Sequence, residues 1–156
     1  MEAGLAESGI RSYLSRRVIT STDEFLDTGL AGGIRPILVR PGAIQAELVR
    51  AHLGHLVVDA VYCSLPLALR GETVADRVWL AAPMNGTGSG QLNGEPLTPG
   101  NLLAFGGSAE VAGASGAPLH CGILTVAPSA LERIATALGV ESHPPGEGDA
   151  RARRGS

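Results

Sequence analysis

The stretch Asn85-Gly86-Thr87-Gly88-Ser89-Gly90-Gln91-Leu92-Asn93-Gly94 carries the strongest local signals for the fold. It contains two Asn-Gly pairs, and this dipeptide tolerates the positive φ angles that tight β-hairpin turns require. A short strand fits between the pairs, over residues 87–92. We therefore predict a hairpin turn at each pair.

Short apolar runs broken by Gly and Pro continue on both sides of this stretch. Ile44, Ala46 and Leu48 alternate with polar residues, which is the period of a half-buried strand. The 22 Gly and 10 Pro lie mainly between such runs. Strands at intervals of about ten residues are typical of a β-sandwich or barrel, and we predict a mainly β fold over residues 34–127.

The two ends of the chain have a different composition. Residues 1–20 are polar and mixed, and residues 140–156 contain Pro144-Pro145-Gly146. We predict a flexible N-terminal arm from the mixed, polar composition and a flexible tail from its linker-like Pro and Gly content. The single domain then spans residues 21–139.

A helix is predicted near each end of this domain. Hydroxyl and acidic residues favour a short helix over residues 22–31. Pro128 suits a first turn and Gly139 a helix end, which predicts a second helix over residues 128–139. Its apolar stripe packs on its own sandwich or forms a dimer interface, and it consists of Leu131, Ile134 and Leu138.

The charge balance argues against nucleic-acid binding by this chain alone. All 12 basic residues are Arg, and the formal net charge is −3. A nucleic-acid binder normally shows a basic excess. The sequence contains no apolar run of the length that a signal peptide or a membrane span needs, so we expect a cytoplasmic protein.

Four short sequence segments occur in a characteristic order along the chain. They are Ser21-Thr22-Asp23-Glu24-Phe25, the strand-like segment 43–53, the segment 90–103 and the strand-to-helix step at 124–139. Together they resemble the N-terminal, cupin-like half of AraC-family transcription regulators, over residues 20–139. The resemblance implies a cupin-like jelly roll that senses a small effector or dimerises.

In that family, two helix-turn-helix units follow the jelly roll and bind DNA. Here 17 residues follow Gly139, which is too few for such a domain. We therefore expect an effector-sensing or dimerisation domain that lacks the DNA-binding half. The alternatives are a small cupin-like enzyme and a stand-alone protein that pairs with a full-length regulator.

The residues indicate no catalytic or metal chemistry. His52, His55 and His120 lack a nearby carboxylate in a metal-ligand pattern, and no serine lies in a nucleophile elbow. Cys63 and Cys121 share no close spacing, so we interpret them as buried free thiols. We expect no enzyme activity, no metal and no cofactor.

A ligand pocket inside the jelly roll is the remaining candidate site. Arg50 falls in phase with Ile44, Ala46 and Leu48, and a buried Arg needs a partner, such as a ligand carboxylate; the alternative is an Arg that reaches solvent at the strand end. Trp79 fits either the pocket or simple core packing. The candidate ligand-binding residues are Arg50, His52, Tyr62, Trp79 and His120.

Overall fold

The structure, a computed structural model, describes residues 12–28, 34–141 and 143–154. Within these residues the fold is mainly β, with two antiparallel sheets and two helices. The predicted mainly β sandwich with one helix near each end is confirmed.

The larger sheet has seven strands in the order β1-β3-β4-β11-β6-β9-β12. Their bounds are β1 Ser12–Ile19, β3 Ala46–Leu53, β4 Leu56–Cys63, β11 Leu119–Val126, β6 Val78–Pro83, β9 Asn101–Phe105 and β12 Ala150–Arg154. The smaller sheet has five strands in the order β2-β5-β10-β7-β8. Their bounds are β2 Arg35–Leu38, β5 Leu67–Glu72, β10 Glu110–Ser115, β7 Gly90–Leu92 and β8 Glu95–Pro96.

The hydrophobic core lies between the two sheets. Leu48, Val61 and Ile123 of the larger sheet belong to the same buried cluster as Leu67 and Val111 of the smaller sheet. Alternate residues of each strand point to opposite faces. The larger sheet therefore has an inner face, which includes Leu48, Val61 and Ile123, and an outer face turned away from the smaller sheet.

The two Asn-Gly pairs form different turns. Asn93 and Gly94 have φ angles of 49° and 81° and join β7 to β8, so the hairpin predicted there is confirmed. At the first pair only Gly86 has a positive φ, of 88°, and the turn carries the chain from β6 in one sheet to β7 in the other. The hairpin predicted at Asn85-Gly86 is therefore wrong, because the strands on either side of this turn lie in different sheets and do not pair with each other.

Both edge strands of the larger sheet lie in segments that the sequence suggested were flexible. Residues 12–19 of the predicted arm form β1, and residues 150–154 of the predicted tail form β12. An edge strand pairs on one side only and buries little apolar surface, so the sequence of β12 can stay polar, while β1 contributes Ile19 to the core. Residues 1–11 of the predicted arm lie outside the described residues.

The two helices occupy nearly the predicted positions. Helix α1 spans Thr22–Thr28, and the predicted remainder, residues 29–31, lies outside the described residues. Helix α2 spans Pro128–Leu138 and ends at Gly139, which has a left-handed φ of 68°. Within the described ranges, neither helix is long and apolar enough to cross a membrane.

Candidate functional site

Strand register divides the five predicted ligand-binding residues between two faces of the larger sheet. Arg50 and His52 are in phase with the buried Leu48, and Trp79 belongs to the core cluster, so these three residues lie on the inner face. Tyr62 and His120 occupy the opposite phase of β4 and β11 and lie on the outer face. The five residues therefore do not line one pocket.

Arg50 has a partner within the protein. Its Nε and Nη2 atoms donate hydrogen bonds of 2.7 and 2.9 Å to the two carboxylate oxygens of Asp59, which lies directly opposite on β4. The side chain of Asp59 is 0% exposed and that of Arg50 is 26% exposed. The hydrogen bond to Asp59 raises the pKa of Arg50 above its usual value, so the guanidinium stays charged.

Asp59 thus occupies the position that the sequence analysis assigned to a ligand carboxylate. Sequence reasoning missed Asp59, although it is the one charged residue of β4 and is in phase with Val61. A buried carboxylate needs a cation nearby. A single acidic residue in phase with buried apolar residues of a strand is therefore the sequence signal that indicates such an ion pair.

One row of inner-face side chains crosses all seven strands close to this ion pair. Successive register partners form this inner row, which consists of Tyr13, His52, Val57, Thr125, Trp79, Phe105 and Ala150. The rings of Tyr13 and His52 stack with centroids 4.1 Å apart. Those of Trp79 and Phe105 meet edge to face at 5.2 Å.

Two polar atoms in the inner row are buried without a hydrogen-bond partner among the described residues. They are Nε1 of Trp79 and Oγ1 of Thr125, and the two residues lie directly opposite each other on β6 and β11. An unsatisfied buried polar group costs about 1–3 kcal/mol. Such a pair of atoms can hydrogen-bond a buried water or a polar group of a ligand.

Tyr62 and His120 form a separate polar cluster on the outer face. They are register partners, and their rings meet edge to face at 6.1 Å. Together with Glu47 they line a shallow depression of about 250 Å³. Glu47 in turn forms an exposed ion pair of 2.7 Å with Arg16, and the hydrogen bond from Arg16 lowers the pKa of Glu47.

Apolar side chains dominate the rest of the outer face. A row of register partners crosses all seven strands there, with the apolar Leu14, Ala51, Val58, Leu124, Leu80 and Ala104 and, on the edge strand β12, the charged Arg151. Several large apolar side chains on this face are exposed, namely Leu14, Val18, Leu53, Val58, Tyr62 and Leu102. We call this surface the apolar outer face.

Helix α2 covers only part of this surface. Its single buried residue is Ala135, whereas Ile134 is 48% exposed and Leu138 is 71% exposed. A groove of about 420 Å³ separates the helix from the β3–β4 hairpin, with Leu53, Leu56 and Ile134 among its lining residues. The predicted stripe of Leu131, Ile134 and Leu138 is thus largely exposed, with only Leu131 half-buried.

The two cysteines are buried free thiols, as predicted. Burial raises the pKa of Cys121 to about 12 and also raises that of Cys63. Both thiols therefore stay protonated at neutral pH, which makes them poor nucleophiles and poor metal ligands. In the described part of the chain, no cluster of three or more His, Cys, Asp or Glu residues could hold a metal ion.

Comparison with known proteins gives a match in structure but none in sequence. No protein-family profile and no curated protein matches the chain. A solved structure, the crystal structure of the AraC-like transcriptional activator CuxR, superposes with a TM-score of 0.55 at 13% sequence identity. The match covers 80% of this chain and 52% of that chain, so this chain spans about half the length of that activator and shares its fold over that part.

The Arg50–Asp59 pair leads to a prediction about stability. Replacing Arg50 with Ala leaves the Asp59 carboxylate buried without its cation, which should lower the free energy of unfolding by about 3 kcal/mol or more. Urea unfolding measures the change. The matched control is Arg16→Ala, which removes a solvent-exposed pair with Glu47 and should leave the free energy of unfolding nearly unchanged. Equal effects of the two substitutions would contradict the structural role of Asp59.

Proposed function

We propose that this chain is the dimerisation and effector-sensing module of an AraC-type transcription regulator. The observation that carries the proposal is the apolar outer face, which exposes large side chains from several strands. The fold shared with part of an AraC-like activator supports the same conclusion. In this role the jelly roll binds an effector and dimerises, and it catalyses no reaction.

The apolar outer face supports dimerisation because soluble monomers rarely expose contiguous apolar patches of this kind. Leu14 and Val58 lie in one row of the sheet, and the exposed Ile134 of α2 lines a groove together with Leu53 of the same face. A two-fold contact of this face with a second copy would remove these side chains from water. A full-length regulator that carries the same face is the alternative partner.

DNA binding is not part of the proposed role of these residues. Helices α1 and α2 are separated along the chain by ten strands, from β2 to β11, so they do not form a helix-turn-helix. The chain carries a formal net charge of −3, which disfavours contact with phosphates. The proposed role implies a cytoplasmic location, because transcription regulators of this type act there.

Replacing Val58 with Glu tests the dimerisation proposal. Val58 is 36% exposed at the centre of the apolar outer face, so the charge should separate the two copies while the fold remains intact. Sedimentation velocity should show a dimer for the wild type and a monomer for the variant.

The matched control is Val74→Glu, since Val74 is 47% exposed in the connection between β5 and β6 and belongs to none of the strands that form this face. It should leave the dimer intact. A wild-type protein that remains monomeric at about 100 μM, well above typical affinities of stable dimers, would contradict the proposal.

A specific observation also favours effector sensing. Trp79 and Thr125 each bury a polar atom for which the described residues supply no partner. The Arg50–Asp59 pair lies one row further along the same face. Polar groups kept in a core at a cost in stability are a common feature of binding sites. We therefore place the effector between the sheets, against Trp79 and Thr125.

The Thr125 hydroxyl gives this proposal a direct test. The substitution Thr125→Val keeps the shape and removes the unpaired hydroxyl, so the free energy of unfolding should rise by about 1 kcal/mol in the ligand-free protein. The control is Thr87→Val, because Thr87 Oγ1 exchanges hydrogen bonds of 2.7 and 2.6 Å with the backbone of His120. That variant should lose about 1–2 kcal/mol.

Urea unfolding of Thr125→Val and Thr87→Val measures these changes in the free energy of unfolding. A loss of stability in Thr125→Val would mean that the hydroxyl already has a partner inside the protein. Thr125 would then be a structural residue, and the effector site would have to lie elsewhere.

A further inference from the structure

The inner row of the larger sheet is accessible at its β1 end. Its first four residues, from β1 to β11, are Tyr13, His52, Val57 and Thr125. Tyr13 is 54% exposed, and the other three are half-buried although they belong to the inner face. Trp79, the next residue of the row, is buried. A small molecule can therefore approach Thr125 and Trp79 along the row from the side of β1.

The inner end of this approach presents two hydrogen-bonding groups that lack a partner among the described residues. They are the Trp79 indole Nε1, which can donate but cannot accept, and the Thr125 hydroxyl. The two residues lie directly opposite each other, which places their Cβ atoms about 5 Å apart. A carbonyl oxygen has two lone pairs, so one such oxygen between the two groups can accept a hydrogen bond from each.

The charges beside these two groups already neutralise each other. Asp59 lies on β4 diagonally across from Thr125, and Arg50 donates to both oxygens of its buried carboxylate. An anionic ligand at Thr125 would approach this carboxylate while Arg50 is already paired, and burying an unpaired charge is costly. His52 lies two strands away from Thr125. A cationic ligand would meet the N–H of Trp79, which repels it. The charges therefore favour a neutral ligand.

The side chains around this approach are mainly apolar or aromatic. Val57 is the register partner of both His52 and Thr125, and it lies between them in the row. The stacked rings of Tyr13 and His52, with centroids 4.1 Å apart, lie at the accessible end. An apolar lining with a few polar groups is typical of sites for small organic molecules. The body of the ligand should therefore be largely apolar.

We propose that the effector is a neutral, largely apolar molecule with an acceptor oxygen, such as a ketone, ester or lactone, and that this oxygen binds between Trp79 Nε1 and Thr125 Oγ1. The inference rests on the proposed effector site and adds the chemical class of the effector. It replaces the ligand carboxylate that the sequence suggested for Arg50, because Asp59 occupies that position.

The single tryptophan of the chain makes this site directly observable. Because Trp79 is the one Trp, its indole N–H gives one cross-peak in a ¹H–¹⁵N correlation spectrum. Two probes of similar size are titrated into the wild-type protein. Cyclopentanone is neutral and carries a carbonyl oxygen, whereas cyclobutanecarboxylate is an anion. Cyclopentanone should shift the indole cross-peak in a saturable manner at millimolar concentrations, and the carboxylate should bind at least about tenfold more weakly.

Two substitutions of Thr125 separate the hydrogen bond from the shape of the site. Thr125→Val removes the hydroxyl and should weaken the binding of cyclopentanone about fivefold, which is the effect of losing one neutral hydrogen bond. Thr125→Ser keeps the hydroxyl and should bind cyclopentanone nearly as tightly as the wild type. Urea unfolding confirms that both variants are folded.

The outcomes distinguish the class of the effector from the existence of its site. Tighter binding of cyclobutanecarboxylate than of cyclopentanone would overturn the neutral class and leave the effector site in place. Equal binding of cyclopentanone by the wild type and Thr125→Val would overturn the placement of the ligand oxygen at Thr125. An indole cross-peak that neither probe shifts would overturn both the inference and the effector site, since water alone would then satisfy Trp79 and Thr125.

Discussion

The buried ion pair between Arg50 and Asp59 is the interaction on which the arrangement of the larger sheet depends. It joins directly opposite positions of β3 and β4, and the Asp59 carboxylate is fully buried. Because side chains alternate along a strand, a slip of one residue between β3 and β4 would separate the charges. The pair therefore fixes the register that keeps Leu48 and Val61 inside and Val58 outside.

The same alternation explains which features the sequence could predict. The in-phase apolar residues Ile44, Ala46 and Leu48 and the Asn93-Gly94 turn are local signals, and both were predicted correctly. Strand β12, with the sequence Ala-Arg-Ala-Arg-Arg, has no such signal because an edge strand needs few apolar residues. The placement of Tyr62 on the opposite face from Arg50 depends on the registers of several strands, which no local pattern reveals.

The proposed functions use the two faces of one sheet. Consecutive residues of β11 lie on opposite faces of the larger sheet. Thr125 belongs to the inner row, and Leu124 belongs to the apolar outer face. On β4 the same holds for Asp59 and Val58. Under the proposed function, an effector that bonds to Thr125 acts on the strand that carries part of the dimer interface. A sheet with a ligand site on its inner face and a dimer interface on its outer face can couple effector binding to dimerisation.

Hydroxyl-radical footprinting at increasing protein concentration tests the central claim, that the apolar outer face is an assembly surface. Our account predicts that Leu14, Val58 and Ile134 become protected as the concentration rises, while Val74, an exposed valine in the connection between β5 and β6, keeps its reactivity. If Leu14, Val58 and Ile134 react at the same rate at all concentrations, the apolar outer face does not mediate assembly and the proposed dimerisation role is contradicted.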